Sequence, residues 1–242
     1  MKEIRYFFVP NAGNEEELPQ EEAVHAIRVL RLQSGDEINL MDGVGHFYRA
    51  EVTLATHKRC LYEIKETIPQ KPAWHGKVSL AIAPTKMMDR IEWMAEKATE
   101  IGFDELSFLN CKFSERKKLR VDRIDKIVVS AVKQSHKAWK PIVHDMVSFK
   151  EFVSEERPGR KFICHCYEEI DKRDLFSELQ KPYDGDGSVT VLIGPEGDFS
   201  IDEVRWAMEH GYESASLGTS RLRTETAGLM AMAMSNLSRR DE

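Results

Sequence analysis

The sequence predicts an α/β protein, a mostly parallel sheet with helices on both faces, preceded by a small β-barrel domain. Three observations carry this reading. After residue 76, apolar strand-like runs alternate with amphipathic helical segments, the pattern of a parallel sheet. Before residue 68, short strand-like segments are separated by polar turns. Between them, "IPQKPAWHG" (68–76) places two prolines and a glycine where the pattern changes, as a linker does. The domains are therefore read as 1–70 and 74–242.

In the first domain, "RYFFV", "DEINLMD", "HFYRAEVTL" and "CLYEIKET" read as strands, with a turn at Asp42-Gly43. One helix, around "LPQEEAVHAIRVLRL", interrupts them, and His25 is expected to be packed within it. In the second domain, "KVSLAIAP" is a buried strand and "MMDRIEWMAEKATEIG" an amphipathic helix closed by Gly102. A strand "DELSFLN", a basic helix, a strand "KFICHCY", a helix "KRDLFSELQ" and a strand "SVTVLIG" follow. Ser200 and Glu203 have the spacing of a capping box before the helix "IDEVRWAMEHG". A last strand, "ESASLG", leads to a helix through "TAGLMAMAMSNLSRR".

Composition excludes several classes. The 242 residues are 41% hydrophobic and 31% charged, as in ordinary soluble domains. No apolar run approaches the roughly 20 residues of a membrane helix, and a cytoplasmic location is expected. The four cysteines do not form a disulfide framework in a chain this long, and buried, inert thiols are expected. Cys164 and Cys166 would share one strand face. No second ligand pair accompanies "CHC", so no metal site is expected.

The net charge of −6 hides an uneven distribution. Between residues 111 and 140, ten Lys or Arg face three acids. Such a stretch can bind a polyanion, although a solvated helix face has the same composition.

Two stretches could carry chemistry. "LIGPEGDFS" (192–200) leaves a strand at its carboxyl end, where ligands bind in open α/β sheets. Its glycines permit unusual backbone and close approach, and it is neither a Walker A loop nor GxGxxG. A structural turn has the same residues. "LGTSRLRTETAGLMAMAMSN" (217–236) brings Arg221, Arg223 and Glu225 to the start of an apolar helix. Buried charges there need partners. An internal ion pair, or a helix cap by Thr224, is the alternative to a catalytic loop.

As a pair, "LIGPEGDFS" and "LGTSRLRTETA" resemble the motifs of the RsmE family, SPOUT-superfamily methyltransferases of uridine N3 in small-subunit (16S) ribosomal RNA. "KMMDRIEWMAEKATEIG" and "KQSHKAW" resemble two further family segments, and "HAIRVLRLQSGDEINLMDGVG" its PUA-like RNA-binding domain. The sequence departs from the family at Asp198, where GPEGG usually ends in glycine. It departs again at Ser220 and Leu222 around Arg221, and at His136-Lys137, where an arginine is frequent.

The resemblance implies a trefoil-knotted SPOUT domain that binds S-adenosylmethionine, with no metal. The implied cofactor residues are Ile193, Gly194, Pro195, Glu196, Gly197, Leu217, Gly218, Leu222, Arg223, Thr224, Thr226 and Ala227, the glycines making room in the pocket. The catalytic candidates are Arg221 and Arg223, for developing oxygen charge, and Glu196 or Glu225, as proton acceptor. Arg5, Arg28, Arg31, Arg49, Arg116, Lys117, Lys118 and Lys133 are the RNA candidates. The partner would be 16S ribosomal RNA within the small subunit, bound by a homodimer joined along "AGLMAMAMSNL". A ribose 2'-O-methyltransferase and a non-catalytic RNA-binding or ribosome-assembly protein are the competing readings.

Overall fold

The computed structural model describes residues 5–239. It divides into two units. One comprises the chain up to Pro72 together with Val129–Lys140, and the other Ala73–Val128 and the chain from Pro141 onward.

The first unit is built on a four-stranded sheet of β1 (Tyr6–Phe8), β2 (Glu37–Met41), β3 (His46–Ala55) and β4 (Cys60–Pro69), in that order. β1 pairs parallel to β2, and the other pairs are antiparallel. Period-two alternation sends Ile38, Leu40, Ala50, Val52 and Tyr62 into one core with Phe7 and Val9. Helix α1 (Gln20–Val24) covers that core through Ala23 and continues into a π-helical turn, His25–Val29. His25 itself is exposed, so it is not the packed residue expected; Ala23 and Ala26 hold the buried positions.

The β2–β3 turn is organised by Asp42. Its carboxylate accepts the Val44 and His46 amides at 2.8 and 3.0 Å, the His46 ring at 2.8 Å and the Tyr48 hydroxyl at 3.1 Å. The segment 129–140 belongs to this unit by contact. Gly45 N–H donates to Ala138 O and Lys140 N–H to Gly43 O. The Tyr6 ring stacks on His136 at 4.3 Å, and Lys133 pairs with Glu22 at 2.6 Å. Helix α3 (Val121–Gln134) is thus shared, its last turns grouping with the first unit.

The second unit has seven strands: β5 (Val78–Ile82), β6 (Glu105–Asn110), β7 (Ile142–Ser148), β8 (Arg160–Cys164), β9 (Arg173–Asp174), β10 (Val189–Ile193) and β11 (Glu213–Ser216). Their order is β7-β6-β5-β10-β8-β11-β9, and every pair is parallel. The central strands are buried on both faces, which is why they read as continuous apolar runs.

Helices lie on both faces. Ala81, Leu109, Ile163 and Leu192 pack against α4 (Phe149–Ser154) and α6 (Ile201–Glu209) through Phe149, Phe152, Val204 and Ala207. The alternate residues Leu80 and Ile82 face α7 (Thr224–Leu237). Gly228 brings that helix so close that a Cβ would lie 2.9 Å from Ile82 Cδ1. A short α5 (Leu175–Leu179) follows β9. Helix α2 (Met88–Ile101) ends at Gly102, whose N–H donates to Ala98 O. The capping box at Ser200 and Glu203 is present in both directions. The expected run of α7 to Arg240 reaches beyond the described residues.

Candidate active site

Strands β10, β8 and β11 lie side by side, and the chain leaving their carboxyl ends encloses one cleft of about 590 Å3. Its walls are residues 164–166 at the end of β8, 193–198 at the end of β10 and 215–218 at the end of β11. Residues 220–225 and Ala227, at the start of α7, and Arg90 of α2 complete it.

The loop after β10 is shaped by its own backbone. Asp198 N–H donates to Pro195 O at 2.9 Å and closes the turn. A Cβ on Gly194 would lie 2.9 Å from the Phe199 amide nitrogen and 3.1 Å from its ring. Gly194 therefore makes room for the turn itself, and it also lines the cleft. At Gly197 a Cβ would meet only Phe113 Cβ, at 3.5 Å. Asp198 has the left-handed φ of 68°. Its Oδ1 accepts from Phe199 N–H and its Oδ2 from Cys166 N–H, each at 2.7 Å. The Glu196 carboxylate accepts from Lys86 N–H at 3.3 and 3.2 Å.

The loop after β11 turns at Gly218, where φ is 115° and open space surrounds the missing side chain. The backbone conformation calls for glycine there. Ser216 Oγ accepts from Gly218 N–H and donates to Gly218 O.

At the start of α7 the cap position is Arg223, and no side chain caps the helix. Thr224 is already helical, so it is not the cap the sequence suggested. Arg221 and Arg223 are exposed, whereas Glu225 is buried. The partner of Glu225 comes from α2: Arg90 Nη1 lies 3.7 Å from its Oε1. Glu225 Oε2 is buried with no hydrogen-bond partner. A buried carboxylate oxygen left unpaired is costly.

His165 lies in the β8 wall. Its Nδ1 accepts from Tyr167 N–H at 3.2 Å, so the proton sits on Nε2, which donates to Ser214 Oγ at 2.8 Å. Burial, with the nearby Lys172 charge, lowers its pKa and keeps the ring neutral. Burial pushes the Cys164 thiol up to about 12. Burial and the Asp198 carboxylate also raise Cys166. Neither is a ready thiolate. Cys60, Cys111 and Cys164 are buried as expected, but Cys166 is exposed, because the strand ends at Cys164 and the two do not share a face.

Of the cofactor residues expected from sequence, Ile193, Gly194, Pro195, Glu196, Gly197, Leu217, Gly218, Leu222, Arg223, Thr224 and Ala227 line this cleft. Thr226 is exposed and does not. The four catalytic candidates, Arg221, Arg223, Glu225 and Glu196, all line it. Sequence reasoning did not assign Arg90, Cys164, His165, Cys166, Asp198, Ala215, Ser216 or Ser220 to it. For Asp198 the motif departure was a signal; for Arg90 there was none beyond its place at a helix start.

The RNA candidates are scattered. Arg5, Arg28, Arg31 and Arg49 are exposed in the first unit, Arg49 paired with Glu66 at 2.9 Å. Lys133 also belongs to that unit, tied to Glu22. In the second unit, the Arg116 guanidinium is spent on the Thr85 and Lys86 carbonyls, while Lys117 and Lys118 stand exposed. Among the described residues no cluster of three metal-ligating side chains occurs, and no helix is long and apolar enough to cross a membrane.

A parallel sheet whose strand-end loops and α7 enclose a charged cleft is an α/β architecture with its cleft where such sheets bind ligands. The model of the RNA methyltransferase domain matches residues 72–236, and that of the RNA methyltransferase PUA domain matches residues 18–65. The chain belongs to this RNA methyltransferase family, in its ribosomal RNA small subunit methyltransferase E branch. It is 37% identical to a probable rRNA-methyltransferase from Porphyromonas gingivalis, whose crystal structure superposes with a TM-score of 0.89 over 98% of each chain. It is 28% identical to the ribosomal RNA small subunit methyltransferase E of Bacillus subtilis, over 95% of this chain and 94% of that one. The enzyme of that name from Neisseria gonorrhoeae, solved with S-adenosyl methionine, shares the fold, with a TM-score of 0.81 over 96% of each chain and 24% identity.

Proposed function

We propose that the protein methylates small-subunit (16S) ribosomal RNA at uridine N3, using S-adenosylmethionine. The observation that carries this reading is the strand-end cleft, with a buried, unpaired carboxylate oxygen on Glu225 and guanidinium groups at Arg90, Arg221 and Arg223. Those residues fit the cofactor: a zwitterion with an added sulfonium charge needs both a carboxylate and cationic partners. The residues that would hold it are 193–197, Leu217, Gly218, Leu222, Arg223, Thr224 and Ala227. When bound, it supplies a methyl group already activated by positive sulfur.

The protein's own groups then have to manage one proton and one developing negative charge. Uridine N3 is an imide nitrogen, protonated near neutral pH, and must lose its proton as it becomes the nucleophile. Glu225 is the better acceptor of the two carboxylates considered. Its Oε2 has no partner, whereas Glu196 is held at the Lys86 amide. Arg90 keeps Glu225 in place. Arg221 and Arg223 stabilise the imidate oxygen charge from the exposed side of the cleft. Lys117 and Lys118 contact the RNA backbone, with Arg5, Arg28 and Arg31 of the first domain.

In this reading residues 1–70 serve RNA binding, and 74–242 form the catalytic domain with its knot. The enzyme works in the cytoplasm as a homodimer, with the exposed Met230 and Leu237 of α7 at the seam. The test is incubation with S-adenosylmethionine and undermethylated small ribosomal subunits, followed by mass spectrometry of the nucleosides. The expected product is N3-methyluridine at one site. A ribose-methylated nucleoside would replace the base reaction with a 2'-O reaction, and absence of any product would overturn the assignment.

A further inference from the structure

We infer that Asp198 is a positioning residue: its carboxylate clasps the loops after β8 and β10 together and so holds two walls of the cleft in register. The inference rests on the cofactor reading above and names a residue outside the expected site. Asp198 stands where the related motif usually carries glycine, and it keeps the backbone conformation glycine would supply, with φ at 68°. Such a φ strains a residue with a β-carbon, though aspartate tolerates it better than most.

What the side chain adds is specific. Oδ1 takes the amide of its own neighbour, Phe199, at 2.7 Å. Oδ2 takes the amide of Cys166, 32 residues earlier in the chain, also at 2.7 Å. Cys166 lies past the end of β8, beyond the reach of the strand ladder. Both Cys166 and Asp198 line the cleft. A glycine would satisfy the turn, which Asp198 N–H closes onto Pro195 O, but would remove the bond to Cys166 and leave the loops joined by the Tyr167 hydroxyl, which donates to Phe199 O at 2.8 Å. Hydrogen bonds from backbone amides to a carboxylate are short and strong for their kind, and these two meet on one side chain.

Three substitutions separate conformation from clasp. Asp198→Gly keeps the turn and removes both bonds. Asp198→Asn also tolerates the turn but keeps one acceptor oxygen. Asp198→Ala removes both bonds and adds strain. Titration calorimetry with S-adenosylmethionine should give a Kd about tenfold weaker for Asp198→Gly, with Asp198→Asn between it and the native protein. The KM for RNA should stay unchanged, a split that general loss of structure would not produce. Amide hydrogen exchange read by NMR should be faster at Cys166 and Phe199 in Asp198→Gly, without any cofactor present. Native cofactor affinity in Asp198→Gly would overturn the inference, as would unchanged exchange at Cys166. Native protein that takes up no S-adenosylmethionine would overturn the functional reading instead, and amide exchange would then decide the clasp by itself.

Discussion

Arg90 and Glu225 meet across the cleft, Nη1 3.7 Å from Oε1, while the second oxygen of Glu225 is buried and unpaired. At that separation the ion pair is loose, and it satisfies only half of the carboxylate. Glu225→Gln should therefore lower kcat by about a hundredfold, the lower end of what a positioned general base contributes, with little change in RNA affinity. Glu196→Gln should lower it by less than tenfold. Single-turnover methylation of ribosomal subunits by the two variants checks the ranking; equal losses would undo it.

The second expectation concerns Gly194. Its missing side chain leaves space for the Phe199 amide, so Gly194→Ala must push the turn apart. Cofactor affinity and thermal stability should fall together, the latter by roughly 1–3 kcal/mol. At Gly197 the space is open, so Gly197→Ala should cost less than 1 kcal/mol unless a ligand occupies it. Paired calorimetry with and without S-adenosylmethionine distinguishes the two sites.

Asp42 should set the acid limit of the first unit. Burial alone would raise its pKa, but hydrogen bonds from the Val44 and His46 amides, the His46 ring and Tyr48 outweigh it and hold the carboxyl below its ordinary 3.8. The folded state then binds fewer protons than the unfolded one, so the stabilisation is complete above pH 3.8 and is lost below it, as pH falls through the lower pKa of the folded state. Asp42→Ala should cost roughly 3 kcal/mol at neutral pH by orphaning buried donors, and should flatten the acid limb of the stability curve. Urea titrations between pH 3 and 7 read both effects.

Lys117 and Lys118 stand exposed, unlike Arg116 beside them. The double substitution Lys117→Ala/Lys118→Ala should weaken RNA binding and reduce the slope of log affinity against log salt by about 1.5, leaving cofactor Kd unchanged. Arg116→Ala should act differently, loosening the 85–86 turn and lowering stability. Filter binding across a salt series separates the two.

How much of this could be read from residues alone depends on where each element lies in the sheet. β5 and β10 are buried on both faces, so their apolar runs stand out, and the Ser200–Glu203 pair announces its helix because capping chemistry is local. β7 was not legible: it is an edge strand whose Ile142, His144 and Asp145 are exposed, so it has neither an apolar run nor a clean alternation. α4 is only six residues long, too short for a helical period to show. The cleft followed the same rule. Its glycine and arginine loops are contiguous motifs, but Arg90, His165 and Cys166 reach it only because the strand order lays β8 beside β10 and brings α2 against α7. Nothing local in "KFICHCY" says that the strand stops at Cys164.

The strand order also dictates a timetable. β10 occupies the middle of the seven-stranded sheet, between β5 and β8, yet it is formed by residues 189–193, and the first unit likewise includes residues 129–140. The first unit's sheet is complete by Pro69, but the larger sheet cannot close on the amino-terminal portion of a growing chain. During synthesis, β5 must wait with one edge unpaired, and β8 with both, for strands still to be made. This makes the protein slow to fold for its size and dependent on long-range closure, and it places its greatest exposure to misassembly in the interval before the central strand emerges.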